Sequence, residues 1–402
     1  DAPAIRFKGF SDAWEQRKLG DMMNVTSVKR IHQSDWTDSG VRFLRARDIV
    51  AAAKNEEPDD YLYISKEKYE EYSTLSGKVG VSDLLVTGVG TIGVPYLVRN
   101  LEPLYFKDGN IIWFQNSDKI DGKFLFYSFS AEQIQGFINE SAGIGTVGTY
   151  TIESGKKTPI SLPNQIEQAK VGEFFQQLDN LITLHQRKFE KLTNVKKSML
   201  EKMFPQNGSS YPEIRFKGFT DPWEQRKLGE IGSVSMCRRI FKEQTSETGD
   251  IPFYKIGTFG AEPDAFISRE LFEEYKSKYP YPKKGDILIS ASGSIGRTVE
   301  FAGNNEYFQD SNIVWLSHDE RLSNSFLKCF YSVVKWAGIE GSTIKRLYND
   351  NILNTVICMP SVPEQEHIGL FFENLDNLIT LHQRELEKLQ NIKKSMLEKM
   401  FV

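Results

Sequence analysis

The chain has 402 residues, of which 40% are hydrophobic and 12% aromatic, and its formal net charge is −4. This length predicts two or more compact units, and the composition excludes a disordered polymer and, because no apolar run reaches about eighteen residues, a membrane span. The acidic balance argues against nucleic-acid binding unless the basic side chains are concentrated on one surface.

The chain opens with a segment that returns in its second half. Residues 5–20, IRFKGFSDAWEQRKLG, recur as residues 214–229, and residues 178–204, LDNLITLHQRKFEKLTNVKKSMLEKMF, recur as residues 375–401. The substituted pairs are Ser11/Thr220, Ala13/Pro222, Lys188/Glu385, Phe189/Leu386, Thr193/Gln390 and Val195/Ile392. A repeat of this length is not a solenoid, whose units are far shorter.

The two middle regions between these near-identical segments have diverged in sequence, but short matching motifs remain in both. Residues 83–93, DLLVTGVGTIG, match residues 286–296, DILISASGSIG; residues 105–113, YFKDGNIIW, match residues 307–315, YFQDSNIVW. Plain gene duplication does not explain why divergence is confined to the middles. Selection for two different ligands on one scaffold explains it, so we predict an internal pseudo-twofold repeat with two variable surfaces.

Short β-rich runs and helix-like stretches alternate within each middle. The β-rich runs cover residues 83–87, 110–114, 286–290 and 312–316, and residues 122–137 resemble a helix. Each middle is therefore predicted to be a globular α/β (mixed α+β) domain. The strand order stays open at this point.

Each near-identical tail predicts a long helix with an apolar stripe spaced three and four residues apart, as in a coiled coil. Neither tail contains glycine or proline after Gly172 and Gly369, and a helix of about forty residues spans roughly 60 Å at 1.5 Å per residue. Because the second domain must carry the chain back, we expect the two helices to pair antiparallel. The stripe residues that we assign to the partner-binding helices are Leu178, Ile182, His185, Leu192, Met199, Leu375, Ile379, His382, Leu389 and Met396.

Residues 205–212, PQNGSSYP, have the composition of a linker. This linker and the two tails divide the chain. The predicted divisions are a first domain at residues 1–160, a first helix at 161–204, a linker at 205–213, a second domain at 214–358 and a second helix at 359–402.

Three cysteines, Cys237, Cys329 and Cys358, lie in the second half only. Because their number is odd and no secretory leader is visible, we expect a reducing, cytoplasmic location rather than a disulfide framework. The histidines and cysteines show no metal-ligand spacing, so no metal site is expected.

Two motifs imitate enzyme sites. Residues 88–93 spell G-x-G-x-x-G, but residues 94–98, VPYLV, predict a strand where a dinucleotide-binding fold requires a helix, and Ala291 replaces the first glycine in the second copy. Residues 263–264, PD, with residues 274–276, EYK, fit a loose nuclease pattern, of which the first half keeps only residues 58–59, PD. We expect neither site, and predict a binding protein without catalysis.

Several ordered motifs carry a family resemblance. Residues 14–20 and 223–229, WEQRKLG, the glycine box of each half, and residues 363–379 of the second helix resemble the DNA specificity subunits of type I restriction–modification systems. The resemblance covers essentially the whole chain, and its motifs occur twice. The first copy departs from it slightly, because Ile166 precedes Glu167 where the second copy has a proline.

The resemblance implies that each domain recognises one half of an asymmetric, interrupted sequence in double-stranded DNA. It also implies that the helices set the spacer and dock two methyltransferase subunits, and that restriction subunits complete the complex. S-adenosylmethionine, ATP and Mg would bind only to those partners, so no cofactor is expected here. A stiff helix pair would fix the spacing, and joining two modest binding sites raises affinity through effective concentration.

Candidate DNA-binding residues are clustered cations, loop hydroxyls and loop glycines, because these groups contact phosphates while longer side chains reach base edges. In the first domain the candidates are Lys29, Arg30, Arg45, Arg47, Thr87, Gly90, Thr91, Thr146 and Tyr150. In the second domain they are Arg238, Arg239, Lys255, Ser290, Ser292, Ser294, Arg297, Thr343, Lys345 and Arg346.

Two other classes of function stay open. A two-headed scaffold for proteins or glycans is slightly favoured by the acidic net charge, and an enzyme with a hidden nuclease or cofactor site would depend on Glu274 or Gly90. A steep loss of binding with salt would favour DNA over both, because phosphate contacts release counterions.

Overall fold

The computed structural model describes residues 2–58, 60–116, 119–142, 148–206, 208–338 and 346–402. Its contacts divide the chain into two compact units, a first unit of Asp1–Arg187 with His382–Val402 and a second unit of Lys188–Leu381. Each unit therefore combines one divergent domain with part of each long helix.

The first unit contains ten strands among its described residues, arranged in three sheets. Its strands are β1 (Glu15–Lys18), β2 (Asn24–Thr26), β3 (Trp36–Thr37), β4 (Val41–Leu44), β5 (Leu62–Ile64), β6 (Leu84–Thr87), β7 (Pro95–Leu97), β8 (Leu104–Phe106), β9 (Ile111–Gln115) and β10 (Pro159–Leu162). Its helices are α1 (Leu19–Met22), α2 (Ala46–Ala53), α3 (Lys66–Ser76), α4 (Gly122–Ser128), α5 (Glu132–Ser141), α6 (Ile152–Lys157) and the first part of α7 (Gln165–Lys202).

The sheet that positions the candidate site is antiparallel, with the strand order β2-β9-β6-β7. A second sheet has the order β3-β5-β4-β8, in which β4 and β8 run parallel, and β1 pairs with β10. Both faces of the first sheet are buried: Leu84 and Val86 face the core beside the helices, whereas Leu85 faces the other core. Burial on both faces explains why β6 and β9 are uninterrupted apolar runs.

The second unit repeats this plan. Its strands are β11 (Glu224–Lys227), β12 (Gly232–Ser235), β13 (Ile251–Tyr254), β14 (Phe266–Ile267), β15 (Ile287–Ser290), β16 (Thr298–Glu300), β17 (Tyr307–Phe308), β18 (Ile313–His318) and β19 (Val356–Met359). Its helices are α8 (Arg269–Lys278), α9 (Asn324–Tyr331), α10 (Asn349–Asn354) and, shared with the first unit, α11 (Val362–Met400). The sheets have the orders β12-β18-β15-β16, β14-β13-β17 and β11-β19.

Within each unit the long helices α7 and α11 run antiparallel. In the first unit Lys393 Nζ lies 2.6 Å from Asp179 Oδ1, and the Nδ1 atoms of His185 and His382 are 3.1 Å apart. The second unit repeats the ion pair with Lys196 and Asp376 at 2.5 Å. The predicted antiparallel helices and mixed fold are confirmed. Across the described residues, no helix combines the length and apolarity that crossing a membrane would require.

The opening segment of each repeat is fastened to the start of a long helix by a forked ion pair. Arg6 donates to both oxygens of Glu167 at 2.6 and 2.8 Å, and Arg215 donates to both oxygens of Glu364 at 2.7 Å. Glu167 is fully buried and Glu364 is 1% exposed, so each carboxylate depends on its guanidinium for compensation. This contact gives a structural reason why the opening motif is retained in both halves.

One predicted element differs in detail. The helix-like stretch at residues 122–137 forms two helices, α4 and α5, rather than one. Tight turns separate them, because Ser130 N donates to Tyr127 O and Ala131 N donates to Ser128 O. The apolar periodicity continues across this break, which is why the sequence did not reveal it.

Candidate nucleic-acid interface

Four segments meet at one end of the β2-β9-β6-β7 sheet, and we name them the first loop edge: residues 27–31, 87–94, 107–111 and 148–151. Ser27 donates its hydroxyl hydrogen bond to Ile111 O at 3.2 Å. Gly88 N donates to Asn110 O at 2.8 Å, and Tyr150 N donates to Gly88 O at 2.9 Å. These bonds join segments that lie far apart in the sequence into one surface.

The second loop edge is the matching surface of the second unit, formed by residues 236–240, 290–297, 309–313 and 346–348. Ala291 N donates to Asn312 O at 2.7 Å, and Leu347 N donates to Ala291 O at 2.7 Å. Arg346 Nη2 donates to the carbonyl of Ser311 at 3.0 Å. The two surfaces are thus built on the same backbone scheme.

The glycine box forms the hairpin turn of each loop edge. Gly90 and Gly93 have φ values of 72° and 77°, which residues other than glycine rarely adopt. Thr87 supports the turn from inside, since its hydroxyl donates to Thr91 O at 2.6 Å and accepts from Val94 N at 2.9 Å. The strand β7 follows the turn, as predicted, where a dinucleotide-binding fold requires a helix.

Basic side chains outnumber acidic ones on both loop edges. The first loop edge carries Lys29, Arg30 and Lys107 against Asp108. The second loop edge is more basic, because it has four cations and one carboxylate. Its charged residues are Arg238, Arg239, Arg297, Arg346 and Asp310. Both loop edges are therefore positive although the whole chain has a net charge of −4. This local excess is the charge pattern that a polyanion requires.

Further predicted cations adjoin the first loop edge, because the parallel strands β4 and β8 end side by side. Lys107 N donates to Leu44 O at 2.8 Å, next to Arg45. Arg45 is held by Asp48 at 2.9 Å and by Asp60 at 2.9 Å. Burial opposes its charge, but these two carboxylates outweigh burial and raise the pKa of Arg45.

The remaining cations of this group are also paired with carboxylates. Arg47 lies 2.5 Å from Asp60, and in the second unit Lys255 lies 2.9 Å from Asp264. The hydrogen bond from Arg45 is the main reason why the pKa of Asp60 is lowered. Arg45, Arg47 and Lys255 are thus neutralised within the protein, and their predicted contact with DNA stays a prediction.

Other predicted residues divide into exposed and buried groups. Thr91, Gly90 and Ser294 are exposed on the loop edges, and Ser292 donates to Asn312 Oδ1 at 2.9 Å. The side chains of Thr87, Tyr150 and Ser290 are at most 1% exposed, so they shape the loop edges from below. Thr146, Thr343 and Lys345 lie outside the described residues.

Sequence reasoning missed the side chains that orient the basic residues. Asp108 accepts a hydrogen bond from Arg30, and Asp310 accepts one from Arg239. Aromatic rings of α3 and the end of α8 lie beneath the other cations, with Lys29 Nζ 4.4 Å from the Tyr72 ring centroid. The matched segments YFKDGN and YFQDSN contained both aspartates, so their retention in both halves was the available signal.

The glutamate of the suspected nuclease pattern lies on the surface of α8. Glu274 Oε1 accepts a hydrogen bond from Lys278 Nζ at 3.0 Å. The two residues form an exposed ion pair and are one helical turn apart. Within the described ranges, no group of three or more histidine, cysteine, aspartate or glutamate side chains could hold a metal ion.

A family comparison decides between the classes of function. The sequence profile described as "Type I restriction modification DNA specificity domain" matches residues 11–194 and again residues 220–391. The chain belongs to this DNA specificity family. The predicted role in DNA sequence specificity is thereby confirmed, and the protein- or glycan-binding scaffold has no support.

Individual relatives agree with this family. The chain is 61% identical over 158 residues to a putative type I restriction enzyme specificity subunit of Haemophilus influenzae, a match that covers 38% of this chain and 41% of that protein. It is 23% identical over 309 residues to the MjaVIII specificity subunit of Methanocaldococcus jannaschii, covering 70% of each. The solved S subunit of a type I system from M. genitalium has a TM-score of 0.64 at 15% identity, covering 100% of this chain and 99% of that one.

The helices of this specificity-family chain present leucines that their own pairing does not cover. The predicted partner-binding residues Leu178 and Leu375 are 8% exposed, and each belongs to a core that also includes apolar residues from the other helix, across the seam between α7 and α11. Beside this seam, exposed leucines recur at matched positions in the two units. They are Leu181 (44%) and Leu184 (45%) in the first unit, and Leu378 (44%) and Leu381 (50%) in the second.

Proposed function

We propose that the chain recognises an asymmetric, bipartite sequence in double-stranded DNA, with each loop edge binding one half of it. The observation that carries this proposal is the pair of basic loop edges, built on one backbone scheme but bearing different side chains. The second loop edge presents Arg297 and Arg346, whereas Val94 stands in the place of Arg297 in the first. Two differing surfaces on one scaffold suit two different half-sites.

The long helices have two proposed roles. They set the number of unrecognised base pairs between the half-sites, since a paired helix is stiff and rises about 1.5 Å per residue. They also dock two methyltransferase subunits through the exposed leucines, because apolar side chains left uncovered at matched positions indicate interaction surfaces. Restriction subunits would join the same complex.

The chain itself is proposed to be non-catalytic and cytoplasmic. Its loop edges offer cations, amides and hydroxyls, which bind DNA but do not modify it. S-adenosylmethionine, ATP and Mg are accordingly assigned to the partner subunits, and the cytoplasm is where those partners would meet DNA.

Methylation patterns provide the direct test. The gene is expressed together with its methyltransferase gene in a host that lacks other methylases, and the methylated positions of the host genome are sequenced. We expect methylation at one asymmetric sequence with a fixed central gap. Methylation without a common sequence, together with no preference for any bipartite duplex in band-shift competition, would refute the proposal.

A further inference from the structure

Two adjacent cations on the first loop edge are fastened to the domain at several points. The Tyr105 hydroxyl donates to Lys29 O at 2.8 Å, and Lys29 N donates to Ser76 Oγ at 2.9 Å. Arg30 Nε donates to Asp108 Oδ2 at 2.8 Å. The backbone and the guanidinium of this dibasic segment are therefore fixed before any ligand binds.

The second unit repeats this arrangement although its domain has diverged. The Tyr307 hydroxyl donates to Arg238 O at 3.1 Å, and Arg239 Nε donates to Asp310 Oδ2 at 2.9 Å. The guanidinium of Arg238 lies 5.2 Å from the ring centroid of Tyr279, just as Lys29 lies over the ring of Tyr72 in the first unit. The same backbone bond, carboxylate bond and aromatic contact are thus present in both units.

Each held arginine keeps one edge of its guanidinium free. Of each guanidinium, Asp108 or Asp310 accepts a hydrogen bond from the Nε–H alone. Within the part of the chain that the structure describes, the terminal nitrogens of Arg30 and Arg239 donate no hydrogen bond. The two arginine side chains are 67% and 60% exposed, whereas the aspartates are 12% and 15% exposed. The free edge carries parallel N–H groups that fit two oxygens of one phosphate.

The local charge is also suited to an anion. Lys29 and Arg238 contact aromatic rings and, in the described residues, form no ion pair, so each segment has two cations against one carboxylate. The net positive charge survives the pairing of the arginine with aspartate. A backbone phosphate would therefore meet both an oriented fork and an uncompensated cation.

The repetition itself separates phosphate contacts from base contacts. Two domains that recognise different half-sites must differ at the residues that contact base edges. A contact retained in both domains suits the phosphate, which every DNA sequence presents alike. We propose that residues 29–30 and 238–239 are matched phosphate anchors, with Asp108 and Asp310 as the residues that position them, and that base recognition lies in the side chains that differ.

This inference rests on the proposed function and is tested with the full-length chain purified with its methyltransferase subunits. Arg30→Ala and Arg239→Ala, singly and together, are titrated by fluorescence anisotropy with the target duplex and with an unrelated duplex at 50–200 mM NaCl. Each variant should weaken binding to both duplexes by the same factor. Each should also lower the salt slope by about 1, so that the loss of affinity across this fourfold salt range is roughly fourfold smaller per site.

Control variants separate the anchor from general charge loss. Arg17→Ala and Arg226→Ala remove exposed arginines at matched positions on β1 and β11 that pair with Glu15 and Glu224. They should leave the salt slope unchanged. Arg30→Lys keeps the charge but loses the fork, so it should keep the slope while binding more weakly.

The outcomes distinguish this inference from the proposed function. If Arg30→Ala left the salt slope unchanged, or relaxed the methylated sequence at a single base position, the anchor would be overturned while bipartite recognition stood. If the unchanged chain bound target and unrelated duplexes equally, the proposed function itself would fail. Equal weakening on both duplexes with a shallower slope supports the anchor.

Discussion

Replacing Leu181 and Leu184 by serine should remove one of the proposed methyltransferase docking surfaces while leaving the seam of α7 intact. The two side chains are 44% and 45% exposed, so roughly half of each is available to a partner. Full burial of a leucine is favourable by about 1.5–3 kcal/mol, so covering the exposed half contributes about 1 kcal/mol. The two together contribute about 2 kcal/mol, and their loss should weaken docking about thirtyfold.

Native mass spectrometry measures this effect as a change in stoichiometry. The unchanged chain should carry two methyltransferase subunits, and Leu181→Ser with Leu184→Ser should carry one at concentrations that weakened docking no longer saturates. Leu378→Ser with Leu381→Ser should lose the other copy, and the fourfold variant should lose both. Leu75→Ser, which changes a 65% exposed leucine on α3, is the control and should keep two. Two bound copies with unchanged affinity in the fourfold variant would refute the docking surface.

Three further changes test the core, the thiols and the helices. Phe175 is fully buried with its ring 5.7 Å from that of Phe401, so Phe175→Ala should lower the free energy of unfolding of the first unit by about 3–5 kcal/mol. Hydrogen exchange should reveal faster opening there than in the second unit, and equal protection in both would contradict this. Burial raises the pKa of the Cys237 and Cys329 thiols to about 12, so at pH 8 iodoacetamide should modify half-buried Cys358 first. Because unfolded thiols ionise near pH 9, the unfolding temperature should fall as the pH rises above 9, and a constant value up to pH 11 would contradict the burial. Inserting one heptad into both α7 and α11 should lengthen the central gap of the methylated sequence without altering its two halves; a changed half-site would argue against helices that only set spacing.

The sequence by itself determined the repeat, the mixed fold, the two long helices and the β-rich runs that form β6, β9, β15 and β18. These features depend on local patterns: the three- and four-residue stripe predicts a paired helix, and the β-rich runs predict strands. That β6 and β9 are buried on both faces was seen only in the structure. The family resemblance depended on the same retained segments. None of these predictions required knowledge of which residues meet in space.

Only the tertiary structure decided which side chains share a surface. Arg30 and Asp108 lie in different segments of the sequence, and they meet because sheet pairing brings the ends of their segments together. The same folding concentrates cations on the loop edges, which reverses there the sign of the chain's net charge of −4. Leu178 and Leu181 are both apolar positions of one helix, yet only the first is buried in the core of its unit. Exposure and local charge depend on what packs against a residue, and a linear pattern does not contain that information.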